Sequence, residues 1–199
     1  ERIATSGISL AGQNCHWEDN GAFTGEISPA MLADLGCTYV IVGHSERRHV
    51  FNESDEITAR KLAAAIRNNL RPILCVGETL DQRNAGRTME VILRQNQFAL
   101  KEPNENVIAN LDIAYEPVWA IGTGHNADPS QIAEVHGAIR SHLTNSFGKA
   151  SVRILYGGSV NAENAKDLGR ISEVNGLLVG GASLKPESFL GVVRCFDDE

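Results

Sequence analysis

The chain has 199 residues, with 25 acidic against 18 basic side chains, a formal net charge of −7, and 42% hydrophobic and 22% charged residues. This is globular composition with enough apolar surface for one core. An acidic balance without a basic run argues against a nucleic-acid partner, and no apolar stretch reaches the ~18–20 residues of a membrane span. Cys15, Cys37, Cys75 and Cys195 stand alone, with no CxxC pair; they read as buried free thiols of a reducing compartment, the cytoplasm. The histidines lack zinc-type spacing, since His136 and His142 are not at i, i+4. No metal is expected.

In chain order, β-rich apolar runs occur at Ile8–Asn14, Thr38–Gly43, Arg71–Gly77, Leu111–Glu116, Val152–Tyr156 and Val174–Val179. They are mostly apolar on both faces, as strands covered on both sides should be. Helical patterns lie between them. A short helix opens at Ser28-Pro29, and longer ones cover Asn52–Asn69, Thr79–Lys101 and Pro129–Phe147, the last starting at Asp128-Pro129 and ending at Gly148. Asn161–Leu168 and Pro186–Phe196 complete the set. Six strands, each followed by a helix, predict an all-parallel α/β protein in one domain, residues 1–199. A doubly wound sheet would carry a Gly-rich fingerprint after its first strand, but Ile8–Asn14 runs into Cys15-His-Trp-Glu18. A barrel instead collects chemistry at strand C-termini and phosphate loops after the last two strands. The clusters Tyr156-Gly-Gly-Ser159 and Val179-Gly-Gly-Ala182 sit there, which favours the barrel. An eight-unit barrel takes about 250 residues, so six of eight strand-helix units are expected in this chain. Glu1-Arg-Ile-Ala4 reads as the tail of a helix, and the missing units are expected before it.

The run Ala114-Tyr-Glu-Pro-Val-Trp-Ala-Ile-Gly-Thr-Gly124 places an acid, Glu116, at a strand terminus. Pro117 ends strand pairing because it has no N–H. Val118, Trp119, Ala120 and Ile121 form an apolar tip, closed by Gly122, Thr123 and Gly124. This pattern sets a general base under a water-excluding lid. A second motif, Val40-Ile-Val-Gly-His-Ser-Glu-Arg-Arg48, makes His44 the first side chain out of a strand, with Ser45 able to cap the helix that follows. The positive end of that helix would disfavour imidazolium. A neutral ring can donate a hydrogen bond to an oxygen that gains negative charge during a reaction. Gly122, Ser159, Gly180 and Gly181 lie in three loops after strands. Their N–H groups can converge on an anion, and Ser159 adds a hydroxyl at an expected helix start.

The Ala114–Gly124 run, the His44 motif and the two glycine pairs together resemble the triosephosphate isomerase family, over essentially the whole chain in order. The resemblance implies interconversion of dihydroxyacetone phosphate and glyceraldehyde 3-phosphate, a step of glycolysis and gluconeogenesis, without cofactor. Glu116 would be the base and His44 the electrophile; this family is itself the established case of neutral-histidine catalysis. Glu46 resembles the family's second carboxylate beside the site, or else holds Arg47 or a loop by ion pairing. Gly21-Ala-Phe-Thr-Gly25 resembles the protruding dimer loop, which puts Thr24 in an interface with a second copy. Val76-Gly-Glu-Thr79 also matches a family strand exit. The family's first strand ends in Asn-x-Lys, which nothing here matches. Losing one such fixed donor costs roughly 10²–10³ in turnover. The expectation is therefore an isomerase of impaired activity, with open strand edges as a further route to self-association. The competing expectation is an inactive phosphate-binding barrel remnant serving as an interaction or assembly module.

Overall fold

The strands of this computed structural model are all parallel and run in sequential order, β1-β2-β3-β4-β5. It describes residues 6–101, 105–121, 127–148 and 151–196, the side chains of 105 and 106 aside. The strands are β1 (Ala11–Gly12), β2 (Tyr39–Val42), β3 (Arg71–Val76), β4 (Asp112–Tyr115) and β5 (Arg153–Tyr156). The helices are α1 (Pro29–Asp34), α2 (Ser45–His49), α3 (Asp55–Arg67), α4 (Leu80–Asn84), α5 (Thr88–Ala99), α6 (Glu105–Ala109), α7 (Pro129–Phe147), α8 (Ala165–Gly169) and α9 (Pro186–Val193). A doubly wound sheet reverses its strand order at a switch point; a sequential order has no reversal.

Among the described residues, five strands replace the expected six. Residues of the Val174–Val179 run pair with β5 through one parallel bridge, Tyr156↔Leu177. Three backbone bonds hold it: Asn175 N–H to Ile154 O (2.9 Å), Tyr156 N–H to Gly176 O (3.0 Å) and Leu178 N–H to Tyr156 O (2.8 Å). Asn175 and Gly176 have poor strand propensity, and the pairing stays short. The first strand likewise shrinks from Ile8–Asn14 to Ala11–Gly12, with Ile8 and Leu10 exposed. The expected helix over Thr79–Lys101 is two helices. Gly86 takes φ +69° after α4, and its N–H bonds Arg83 O at 2.9 Å. That is a left-handed helix stop, which a reading of apolar spacing passes over. Cys37 and Cys195 are half-buried, whereas Cys15 and Cys75 are buried; all four are free thiols.

The chain divides into two compact units, Glu1–Cys75 with Gln95–Asp112 and Val76–Arg94 with Ile113–Glu199. In the first, β1, β2 and β3 pair in register, Ala11↔Tyr39 and Tyr39↔Arg71 opening the two ladders. Helix α3 begins at an N-cap, Ser54, whose Oγ accepts the Ile57 N–H at 3.3 Å. It buries Thr58, Lys61, Leu62 and Ala65, the i, i+3, i+4, i+7 stripe of an amphipathic helix. Asp112 is fully buried and receives a two-pronged bond from Arg71, at 3.0 and 2.7 Å.

In the second unit α7 spans its expected length, from N-cap Asp128 to Gly148. It buries Ile132, Val135, His136, Ile139 and Leu143 on one face. Arg140 of α7 donates to Glu173 Oε2 (2.9 Å), Val152 O (2.7 Å) and Asn175 Oδ1 (2.8 Å). One guanidinium thus fixes the entry to β5 and the segment beside it. Among the described residues no helix is long and apolar enough to cross a membrane.

Candidate active site

Glu116 follows β4 directly. All four β4 residues are buried, and Glu116 itself is 2% exposed. Its N–H donates to Val76 O at 2.8 Å, so the carboxyl begins where the ladder ends. Pro117 is buried at φ −62°, and Val118–Ala120 form a 3-10 turn rather than an extended tip. Ala120 is buried, while Val118, Trp119 and Ile121 are half-buried. Gly122, Thr123 and Gly124 lie outside the described residues.

A second carboxyl, unclaimed by sequence reasoning, organises this turn. Glu78 is fully buried just beyond β3. Its Oε1 accepts from Trp119 Nε1 (3.0 Å), Arg83 Nη1 (3.0 Å) and the Tyr115 hydroxyl (3.2 Å). Its backbone oxygen takes the Val118 N–H at 3.1 Å. Oε2 has no hydrogen-bond partner among the described residues. Burial first, and the Glu78 charge second, push the Tyr115 phenol up, which keeps it a donor. Tyr115 and Trp119 lie far from Glu78 in sequence, and no local pattern announces them.

Ser159 sits elsewhere than expected in its loop. Helix α8 begins only at Ala165, and the intervening turn is made by Asn161, whose Oδ1 accepts the N–H groups of Glu163 and Asn164 at 2.9 and 3.0 Å. Ser159 is therefore not at a helix start. Its hydroxyl donates to Ala120 O at 2.6 Å, tying its loop to the turn after Glu116. Gly180 and Gly181 are exposed and lead into a 3-10 turn, Gly181–Leu184. Ser183 returns both its N–H (2.9 Å) and its Oγ–H (2.7 Å) to Gly180 O. The N–H groups of Ser159, Gly180 and Gly181 have no acceptor among the described residues. Free N–H groups on a glycine-bearing loop are anion donors. Glu116, Pro117–Ile121, Ser159, Gly180 and Gly181 all belong to the second unit.

His44 and Glu46 belong to the first unit. The N-cap of α2 is His44 itself, not Ser45. Its Nδ1 accepts the Glu46 N–H at 3.3 Å. An amide N–H only donates, so Nδ1 carries the lone pair and the neutral ring holds its proton on Nε2. Glu46 is largely exposed, its Oε2 4.0 Å from His44 Nδ1. It does not hold Arg47, whose partner is Glu53 (Nε to Oε1, 2.8 Å). Arg48, quoted in the motif without a role, is the residue that fixes this strand exit. It donates to Gly43 O (2.8 Å), Cys75 O (3.2 Å) and Asp55 Oδ1 (2.6 Å). Lys61 is buried, with Nζ on Asn14 Oδ1 (2.8 Å) and Glu53 Oε1 (2.6 Å). Thr24 is exposed in the Gly21–Glu26 turn, beside Phe23, which packs on the His16 ring at 4.3 Å. Among the described residues no group of three or more His, Cys, Asp or Glu side chains could hold a metal.

A family model described as triosephosphate isomerase matches residues 1–196. The chain belongs to the triosephosphate isomerase family. It is 54% identical to the triosephosphate isomerase of Aquifex aeolicus, covering 96% of this chain and 78% of the relative. The Caldanaerobacter subterraneus relative is 50% identical, covering 96% and 79%. The crystal structure of triosephosphate isomerase from Bartonella henselae superposes with a TM-score of 0.90 at 43% identity, covering 98% of this chain and 81% of that one. The fold class is that of the TIM barrel. The chain is an isomerase acting on triose phosphate, and these relatives lend no support to an inactive binding module.

Proposed function

We propose that Glu116 and His44 carry the interconversion of dihydroxyacetone phosphate and glyceraldehyde 3-phosphate. Glu116 takes a proton from one substrate carbon and returns it to the neighbouring one. His44, with its proton on Nε2, donates to the oxygen that gains charge in the enediolate and exchanges protons between the two oxygens. The N–H groups of Ser159, Gly180 and Gly181, with that of Gly122, receive the phosphate. The loop Pro117–Gly124 closes over the intermediate, excluding water and suppressing phosphate elimination. Glu46, exposed beside His44, is assigned a supporting electrostatic role. No cofactor is required, because one base and one electrophile complete the proton transfers. The observation that supports this reading best is the buried Glu116 at the end of β4, followed at once by a turn tied to two other loops.

Glu116→Gln tests it. The variant should lose roughly 10²–10⁴ in kcat, the range for a general base, while still binding an inert phosphorylated three-carbon ligand. His44→Gln should lose roughly 10²–10³, the range for one donor to a developing oxyanion. Parent-like turnover in Glu116→Gln would refute the assignment. We further infer a cytoplasmic homo-oligomer, a dimer through the loop around Thr24, with open strand edges as the other route. Sedimentation of Thr24→Glu distinguishes them, because only the loop contact would be broken by a charge there.

A further inference from the structure

The strand exit Val76-Gly-Glu-Thr79 takes no part in the chemistry proposed above, yet it lies against the base. We propose that Gly77 is a positioning residue for Glu116, the absent side chain being the space its backbone occupies. The inference rests on the reading of Glu116 as the base. Val76 O holds the Glu116 N–H at 2.8 Å, and Glu78 O holds the Val118 N–H at 3.1 Å. The residues flanking Gly77 thus fasten the chain on either side of the Glu116–Pro117 bond, and Pro117, with no N–H, needs no acceptor between them. A Cβ at Gly77 would lie 1.8 Å from the Glu116 carbonyl oxygen and 2.7 Å from its carbonyl carbon. Real Cβ contacts essentially never fall below 3.0 Å, so one backbone would have to retreat by about 1.2 Å. Neither has a rotamer to change. At Gly12, by contrast, a Cβ would meet the end of the Leu32 side chain, which can turn away. Gly157 makes a softer second contact, where a Cβ would stand 3.0 Å from Glu116 Cγ.

A base must reach its carbon in a near-attack geometry, and about 1 Å of misplacement costs on the order of 10²-fold in rate. Gly77→Ala should therefore lower kcat by about 10²-fold. KM should stay within about threefold, because the phosphate donors are untouched. Proton abstraction becomes the slow step, so the primary deuterium isotope effect at the carbon that loses its hydrogen should rise. Titration with glycerol 3-phosphate counts competent sites and separates displacement from partial unfolding. Gly137→Ala, whose Cβ would meet nothing within 4 Å, is the control and should keep parent kinetics. A kcat within about threefold of the parent, or a loss matched by an equal loss of glycerol 3-phosphate sites, overturns the proposal. If Gly77→Ala does not fold, Gly157→Ala decides: a kcat loss of about threefold to tenfold with the same isotope signature supports it, and parent kcat overturns it. Glu116→Gln is assayed beside these. If it turns over like the parent, the base assignment falls and takes the inference with it. An inactive Glu116→Gln beside a full-speed Gly77→Ala removes the inference alone.

Discussion

His136 makes stability depend on pH, and the sign and size follow from its surroundings. The ring is fully buried in α7, with Tyr115 and Tyr156 packed on it at 5.9 and 6.5 Å between centroids. Its Nδ1 lies 3.1 Å from the Glu173 carbonyl, which only accepts, so Nδ1 carries the proton. Nε2 is then a buried lone pair, and it has no partner among the described residues. Charging this ring would bury an unpaired N–H, with Glu173 opposing the shift and Arg140 adding to it. Burial dominates and brings the pKa from 6.5 down to about 4. Between those values the unfolded chain binds a proton that the folded one refuses. Stability is therefore unaffected above about pH 7, falls as pH drops below 6.5, and stops falling from this cause near pH 4. The full loss is about 3 kcal/mol, of which about 2 kcal/mol is reached by pH 5. His136→Asn keeps a donor for Glu173 and removes the titration. Urea unfolding of parent and variant at fixed protein concentration, from pH 5 to 7.5, should show their stability difference changing by about 2 kcal/mol. Parallel pH profiles, or a His136 ring signal titrating near 6.5, would refute the reasoning.

Arg48→Met should destabilise the protein by about 1.5–3 kcal/mol, the range for a bond between charged groups, because it removes the bond to Asp55 together with the donors to Gly43 O and Cys75 O; chemical denaturation measures it. Burial pushes the Cys15 thiol up to about 12, so at pH 8 a thiol reagent should label Cys37 and Cys195 in the native protein and reach Cys15 only after denaturation. Ser159→Ala should cost about 0.5–1.5 kcal/mol of the tie to Ala120, read as faster proteolytic cutting in the loop after Glu116, together with a raised KM. Trp119→Phe removes one of three donors to Glu78 Oε1 and should cost about 1.5–3 kcal/mol in thermal unfolding, the range for a bond to a charged group.

Local signals were legible where one residue type enforces one geometry. Pro117 marked the end of β4 and hence the place of Glu116, and Asp128-Pro129 with Gly148 bounded α7. Apolar spacing merged α4 and α5, because a periodic stripe continues across Gly86 while the backbone does not. Ser159 was misread for a related reason: a hydroxyl after two glycines suggests a helix start, but Asn161 turns the chain first. The roles of Glu78, Arg48 and His136 were not legible at all. Each depends on groups brought to it by the fold, such as Trp119 to Glu78, and burial of a charged or titratable side chain has no signature in one sequence.

The Ser159 hydroxyl has a single proton, and in this conformation Ala120 receives it. A substrate oxygen that claims that proton must take it from the segment following the base. Under the proposed function, a ligand that recruits this hydroxyl as well as the backbone N–H groups would loosen the turn after Glu116 as it binds.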